Sequence, residues 1–299
     1  MSPAKQVHHI PLSAILLIVG AVGCFTMLDS MVKFLTGRYP VPLLVWARYA
    51  VQAAVIVVWL APTMGKGLVR TSQPGLQLLR GVILLASSLC FFSSLAFLPL
   101  AEATAINYTT PTLVILFSVV VLKERMTPPR LAFLIAGSAG MLLIVRPGAS
   151  ILHGGALLGL GAACFYATFQ ILTRRLRAED PRVTLFYPAV CGTVLMTAVL
   201  PFFDLPTQFP IMHFVLIVLI GILGTAGHFM FILAFQRAPV SGLTPFTYMQ
   251  LVWAMLLGWV IFGQFPDGFT LAGMGIIAGS GLFLAWHERR RALAPPAVD

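Results

Sequence analysis

The chain has 299 residues, 59% of them hydrophobic and only 9% charged, with a mean hydropathy of +0.95 and a formal charge of +10. A soluble domain carries roughly 25% charged residues, so the polar side chains here could not cover a water-exposed globule. The basic excess sits in short clusters between long apolar runs, which is a membrane-topology pattern and not the basic face of a nucleic-acid binder.

A helix needs about 20 apolar residues to span the hydrocarbon of a bilayer, and ten such runs can be placed. In the first half they fall near residues 10–35, 42–60, 76–98, 103–122 and 131–145. In the second half they fall near 155–172, 183–203, 211–235, 241–262 and 269–286. An outer-membrane barrel would instead alternate in polarity over segments of roughly ten residues. The run after Lys5 outlasts the h-region of a signal peptide, about 7–15 residues, and reads as the first span. The tail after His287 ends in Ala, Pro and Val and reads as disordered. Cys24, Cys90, Cys164 and Cys191 lie inside apolar runs without metal-ligand spacing and read as packing residues.

Loop charge sets the orientation. With both termini cytoplasmic, the clusters around Lys66, Lys123, Arg175 and Arg290 all lie inside. The outer loops then keep Arg38 and Arg146 beside Asp204 and Asp267, as the positive-inside rule requires. Trp59 and Trp286 mark the inner interface and Trp259 the outer one.

Laid over itself at an offset of about 140, the chain shows matches in constant order, as an internal repeat does. Gly23-Cys24-Phe25 meets Ala163-Cys164-Phe165, Tyr108 meets Tyr248, and Leu131-Ala132 meets Leu271-Ala272. Five spans per half turn the second half upside down. The expected fold is an all-α integral membrane protein of ten transmembrane helices in two inverted five-helix repeats. Its units are residues 10–147 and 154–287, followed by a cytoplasmic tail at 288–299.

An ionisable side chain inside hydrocarbon is costly and is a functional candidate. Asp29 and Lys33 lie one turn apart on the first span, and Arg48 lies on the second. Pairing Asp29 with Lys33 or Arg48 would leave one cation to hold a substrate carboxylate or phosphate. The structural alternative has Lys33 reaching the outer interface and Asp29–Arg48 tying two helices. Arg80 is expected to extend toward the inner phosphates, Glu102 suits a helix N-terminus, and Glu124 reads as a loop salt bridge. His228 could couple protons near physiological pH, or sit neutral and hydrogen-bonded.

Pro111 and Pro245 fall near the centres of the repeat-related fourth and ninth spans. A proline removes a helix hydrogen bond, and broken helices in matching positions point to a midplane binding site. Tyr108, beside Asn107 and Thr110, and Tyr248 and Gln250 are the cavity-lining candidates, with Tyr166 and Gln170 as lesser ones. Gly155 and Gly159, Gly275 and Gly279, and Gly221, Gly224 and Gly227 have the spacing of close helix contacts.

These strings resemble the drug/metabolite transporter superfamily, in its EamA group of ten-helix proteins. The likeness rests on Pro99-Leu-Ala-Glu-Ala-Thr-Ala-Ile106, Leu122-Lys-Glu-Arg125 and the Val-Arg-Pro-Gly ending at Gly148. Ala238-Pro-Val-Ser241, Phe265-Pro-Asp267 and Trp46-Ala-Arg48 extend it. The family often ends both halves in Glu, whereas the second half here has Gln264. The resemblance implies a ten-helix basket around a central cavity, working by alternating access in the bacterial cytoplasmic membrane.

The reading is a secondary transporter of a small organic metabolite: an amino acid, vitamin, nucleotide-derived cofactor or drug-like solute. Its partners are that substrate, the bilayer and protons as the candidate coupling ion, in a monomer or homodimer with no nucleic acid. No Walker-type loop would power it with ATP. No nucleophile–base pair or acid cluster suggests an enzyme, so no catalytic residue, metal or cofactor is expected. The alternatives are an integral-membrane enzyme or flippase acting on lipids and a non-transporting scaffold, whose docking domain the short loops do not provide.

Overall fold

The computed structural model describes residues 11–122, 126–145, 154–176, 178–206, 208–237, 243 and 246–293. Glu124 with its basic neighbours, and Pro245, lie outside the described residues. The first half is α1 Leu12–Thr36, α2 Val41–Met64, α3 Pro74–Phe97, α4 Leu100–Asn107, α5 Thr110–Leu122 and α6 Pro128–Val145. The second is α7 Gly154–Arg175, α8 Pro181–Val199, α9 Ile211–Arg237, α10 Met249–Phe262 and α11 Gly268–Leu293. Among the described residues eight helices are long and apolar enough to cross a bilayer, with Met249–Phe262 a shorter apolar helix. The remaining crossing is the pair α4–α5. Large apolar side chains point outward along the helices, Val58 and Val260 each 76% exposed, as a lipid-facing surface requires.

The fourth span is one continuous helix in the sequence reading, and the structure breaks it between Asn107 and Thr110. Pro111 has no N–H to give the Asn107 carbonyl four residues back. Thr110 Oγ1 takes that carbonyl instead at 2.6 Å, and Thr109 Oγ1 takes Ile106 O at 2.7 Å. Neighbouring hydroxyls thus satisfy the backbone that the proline frees. The tail corrects a second expectation. Helix α11 continues past His287 to Leu293, because Glu288, the arginines, Ala292 and Leu293 are all good helix formers. Arg290 lies with its guanidinium 4.0 Å from the Trp286 ring centroid.

Helix packing repeats itself between the halves. Helix α1 packs on α9 as α3 packs on α7, and α2 packs on α9 as α3 packs on α8. Contacts of α5 with α7 match those of α1 with α10, while α2–α8, α4–α10 and α6–α11 each join counterpart helices. Exchanging the halves maps this set onto itself, which is the pseudo-two-fold arrangement of an inverted repeat.

Small residues allow the closest of these approaches. A β-carbon at Gly140 would stand 2.9 Å from Gly273 O, and one at Gly273 2.6 Å from Gly140 O, so α6 and α11 meet backbone to backbone. Gly192 faces the Tyr49 ring, Gly227 the Phe25 ring, and Gly155 and Gly159 face Phe97 and Ile106. Gly275 and Gly279 depart from expectation, since among the described residues a β-carbon at either would meet nothing within 4 Å.

Arg80 also departs from expectation. It is 5% exposed and does not extend to the interface. Pro188 inside α8 cannot bond the Thr184 carbonyl, and Arg80 Nη1 donates to that oxygen at 2.7 Å. Its Nε donates to Thr173 Oγ1 at 2.7 Å, and its guanidinium lies 4.4 Å from the Phe169 ring centroid. One side chain therefore fastens α3 to α7 and α8. At the same end, the Glu179 carboxylate accepts from Thr71 Oγ1 at 2.8 Å, Ser72 N at 3.1 Å and the Ser72 hydroxyl. Tyr187 OH donates to Val69 O at 2.8 Å.

Two outcomes follow for these ties. Replacing Arg80 by Leu strands the Thr184 carbonyl and is expected to destabilise the protein by roughly 1–3 kcal/mol. The measurement is thermal unfolding of the purified protein in detergent, and an unchanged midpoint would refute this role. Hydrogen bonds from Ser72 and then Thr71 hold the Glu179 carboxyl below its ordinary value of 4.5. A lowered folded-state value means the tie is fully present above the ordinary carboxylate range and is lost as pH falls through the lowered value. Hydrogen exchange at the Ser72 amide is therefore expected to stay slow at neutral pH, to quicken on strong acidification, and to be fast at pH 7 in Glu179→Ala. Equal protection in the variant and the parent at pH 7 would remove the tie.

Candidate functional site

A cavity of about 700 Å³, counting its open mouth, lies where the two halves meet. Helix α1 contributes Phe25, Leu28 and Asp29, and α2 contributes Arg48. Leu84, Ser87, Ser88, Phe91 and Phe92 of α3 fall at intervals of three and four, so one stripe of that helix lines the wall. Asn107 ends α4, Gln250 lies in the first turn of α10, and Tyr166 of α7 and His228 of α9 complete the lining.

Among the described residues the acid and the base of this cavity form no ion pair. Asp29 is 6% exposed, and among the described residues it accepts no hydrogen bond and forms no ion pair. Arg48 acts on it through space from the neighbouring helix. Arg48 Nη1 donates to Ser88 Oγ at 3.2 Å, while its Nε is buried without an acceptor beside Gly224. The guanidinium is flanked by the rings of Tyr49 and Phe92, at 5.5 and 5.6 Å. Ser88 is held in place in turn, since its hydroxyl lies 2.8 Å from Tyr49 OH and 3.0 Å from Leu84 O. His228 sits edge-on to Phe25 with centroids 5.0 Å apart.

Behind the wall the break after Asn107 meets a second one, the turn at Tyr248 between helical residues 246–247 and α10. The rings of Tyr108 and Tyr248, counterparts in the two halves, lie 5.3 Å apart. Tyr108 OH donates to the Thr247 carbonyl at the second break and lies 3.2 Å from Gln250 Oε1. Tyr248 is buried with its phenol against Gly281 of α11, where any side chain would collide with it.

Of the residues singled out from the sequence, Asp29, Arg48, His228 and Gln250 line the cavity, together with Asn107 and Tyr166. Tyr108 and Tyr248 support it from behind, and Gln170 is not in the lining. Lys33 is elsewhere. Its ammonium donates to Leu98 O at 2.6 Å and Leu95 O at 3.1 Å, so it closes the carbonyl end of α3 and pairs with neither Asp29 nor the cavity. The sequence reading missed Ser87, Ser88, Phe91 and Phe92. A signal was present, since Gln77, Arg80, Ser87, Ser88 and Ser94 fall on one face of α3 and are all buried there. No group of three or more His, Cys, Asp or Glu among the described residues is placed to hold a metal ion. The arrangement offers a small polar solute an acid, a guanidinium, an imidazole and an amide within one enclosure.

Known proteins share this architecture. The sequence profile of the EamA-like transporter family matches residues 12–146 and again 153–286. The S-adenosylmethionine uptake transporter of Rickettsia bellii is 26% identical over 267 residues, covering 88% of this chain and 89% of that protein. The riboflavin transporter of Vibrio cholerae serotype O1 is 26% identical over 295 residues, covering 96% and 97%. The pseudopaline exporter CntI of Pseudomonas aeruginosa is 28% identical over 262 residues, covering 87% and 92%. One solved crystal structure superposes with a TM-score of 0.66 at 23% identity, covering 94% of this chain and 99% of the other, a likeness of fold alone. With both halves matched, the chain belongs to the EamA-like transporter family.

Proposed function

We propose that this small-metabolite transporter carries its solute through the central cavity by alternating access, with Asp29, Arg48, His228 and Gln250 as the binding and coupling groups. The observation that carries the reading is the junction cavity, where an acid and a base face the same space without pairing. Burying either ion without compensation is expensive, so such a site is suited to a ligand that compensates them. The helix breaks at Tyr108 and Tyr248 support it, because discontinuous helices at a repeat interface allow one half to rock against the other.

In this reading the units are residues 10–147 and 154–287, and the protein acts as a carrier and not as an enzyme, as a monomer or homodimer. The basic end holding Lys66, Arg70 and Arg175, both termini and the tail at 288–299 face the cytoplasm across the inner membrane. Loop charge supports that orientation, and the relatives named above come from bacteria. Their names include both an uptake transporter and an exporter, so direction is left to the gradient. Protons are the proposed coupling ion, with Asp29 and His228 as the groups that would exchange them.

The test is uptake and efflux of a labelled metabolite panel in proteoliposomes, with and without an imposed pH gradient. A transported solute is expected to be carried roughly tenfold or more slowly by Asp29→Asn and Arg48→Gln at normal expression, the scale of one lost charge-assisted hydrogen bond. Parent-like rates in both variants would sink the site. A rate indifferent to the gradient, in the parent and in His228→Gln alike, would sink proton coupling and leave the carrier intact.

A further inference from the structure

The outer surface of the bundle carries a second concavity. A groove of about 610 Å³, counting its open side, is lined by Leu78 of α3, by one face of α8 and by Val69 of the 3₁₀ turn Gly65–Val69. It shares no lining residue with the central cavity. Its floor is tight, since a β-carbon at Gly81 of α3 would stand 2.8 Å from the Cys191 β-carbon, so the two helices meet there with no side chain between them. Its walls are apolar, and Val69, Leu78 and Val194 are each more than half exposed. From Tyr187 to Leu195 the α8 wall rises about 12 Å, most of the roughly 15 Å that half a hydrocarbon core provides. That length suits one acyl chain of one leaflet.

One end of the groove is basic. Tyr187 OH donates to Val69 O at 2.8 Å, which fastens the 3₁₀ turn to α8 there. Side chains three apart in a 3₁₀ helix eclipse, so Lys66 stands in line with Val69, and Arg70 follows it. Both cations are exposed, and among the described residues neither has an ion-pair partner. The carboxylates at this end are already engaged, Glu179 by Thr71 and Ser72 and Asp180 by Arg182. We propose that the groove binds an anionic phospholipid, with one acyl chain between α3 and α8 and the phosphate at Lys66 and Arg70. A zwitterionic lipid offers the same chain, but its own cation opposes the basic pair. A second copy of this chain meeting the same patch would bring like charges to the mouth.

The experiment is native mass spectrometry of the purified full-length protein in detergent, titrated with phosphatidylglycerol or with phosphatidylcholine of identical chains. The first phosphatidylglycerol is expected to bind about tenfold or more tightly than phosphatidylcholine, the scale of two basic residues at a membrane surface. Lys66→Gln and Arg70→Gln are each expected to weaken phosphatidylglycerol about fivefold and to leave phosphatidylcholine unchanged. Arg290→Gln, which removes a cation from α11, is expected to change neither. Val194→Trp fills the groove from an exposed position and is expected to weaken both lipids. Glycerol phosphate, a headgroup without chains, is expected to displace neither. Equal binding of the two lipids, or phosphatidylglycerol binding unchanged in both basic variants, would overturn the inference. An equal loss in Arg290→Gln would overturn it in favour of diffuse surface charge, and full displacement by glycerol phosphate in favour of a free-phosphate site. Unchanged binding in Val194→Trp would remove the chain from the groove, and a two-chain mass with no lipid retained would make the groove an interface between copies. If a variant fails to fold, the comparison of both lipids and glycerol phosphate on the parent protein decides the matter.

Discussion

Inside hydrocarbon a free backbone carbonyl can be satisfied only by another part of the chain, since no water is there to take it. Each proline placed in a membrane helix creates such a carbonyl, and the architecture grows from how these are answered. Thr110 answers Asn107 locally, which permits the break between α4 and α5 and places Asn107 at the cavity. Arg80 answers Thr184 from another helix, which ties α3 to α8. Lys33 answers the Leu95 carbonyl that Pro99 leaves at the end of α3, while Tyr108 takes the Thr247 carbonyl, left over because Leu251 N turns to Tyr248 O. The polar residues that looked like candidates for chemistry therefore divide in two. One group completes the backbone, and the other faces the cavity with its hydrogen bonding unfinished.

That division explains what could be read before the coordinates. The spans and the two halves follow from hydropathy and the repeat, and Pro111 marks the neighbourhood of the break in the fourth crossing. Asp29, Arg48, His228 and Gln250 could be singled out because charge or amide groups are rare in such segments. The roles of Arg80 and Lys33 were not legible, because their partners stand 104 and 65 residues away and are carbonyls, which every residue has. Ser87 and Ser88 belong to the polar face of α3, but serine is common in apolar helices as a packing residue. Only the neighbours of α3 show that Ser87 bonds Ala162 O in α7 while Ser88 anchors Arg48 at the cavity. The continuation of α11 to Leu293 was missed because the prolines that follow it coloured the reading of the whole tail.

The cavity wall joins a continuous helix to two helix ends. Its stripe on α3 belongs to a helix fixed at one end by Lys33 and at the other by Arg80. Asn107 and Gln250 instead stand at helix ends, where fewer backbone bonds oppose rotation. The stripe on α3 is thus fixed at both ends, and the two helix ends are held to each other through Tyr108 and Tyr248.

The internal repeat does not extend to the ionisable groups of the cavity. At the offset of about 140 that aligns the halves, Asp29 falls on Phe169 and Arg48 on Pro188. The backbone is nearly symmetric, but its formal charges are not: the acid and base of the cavity both belong to the first half. Exchanging the halves by the pseudo-two-fold rotation therefore matches the backbone without matching these groups. A duplicated frame thus carries an unduplicated pair of ionisable groups.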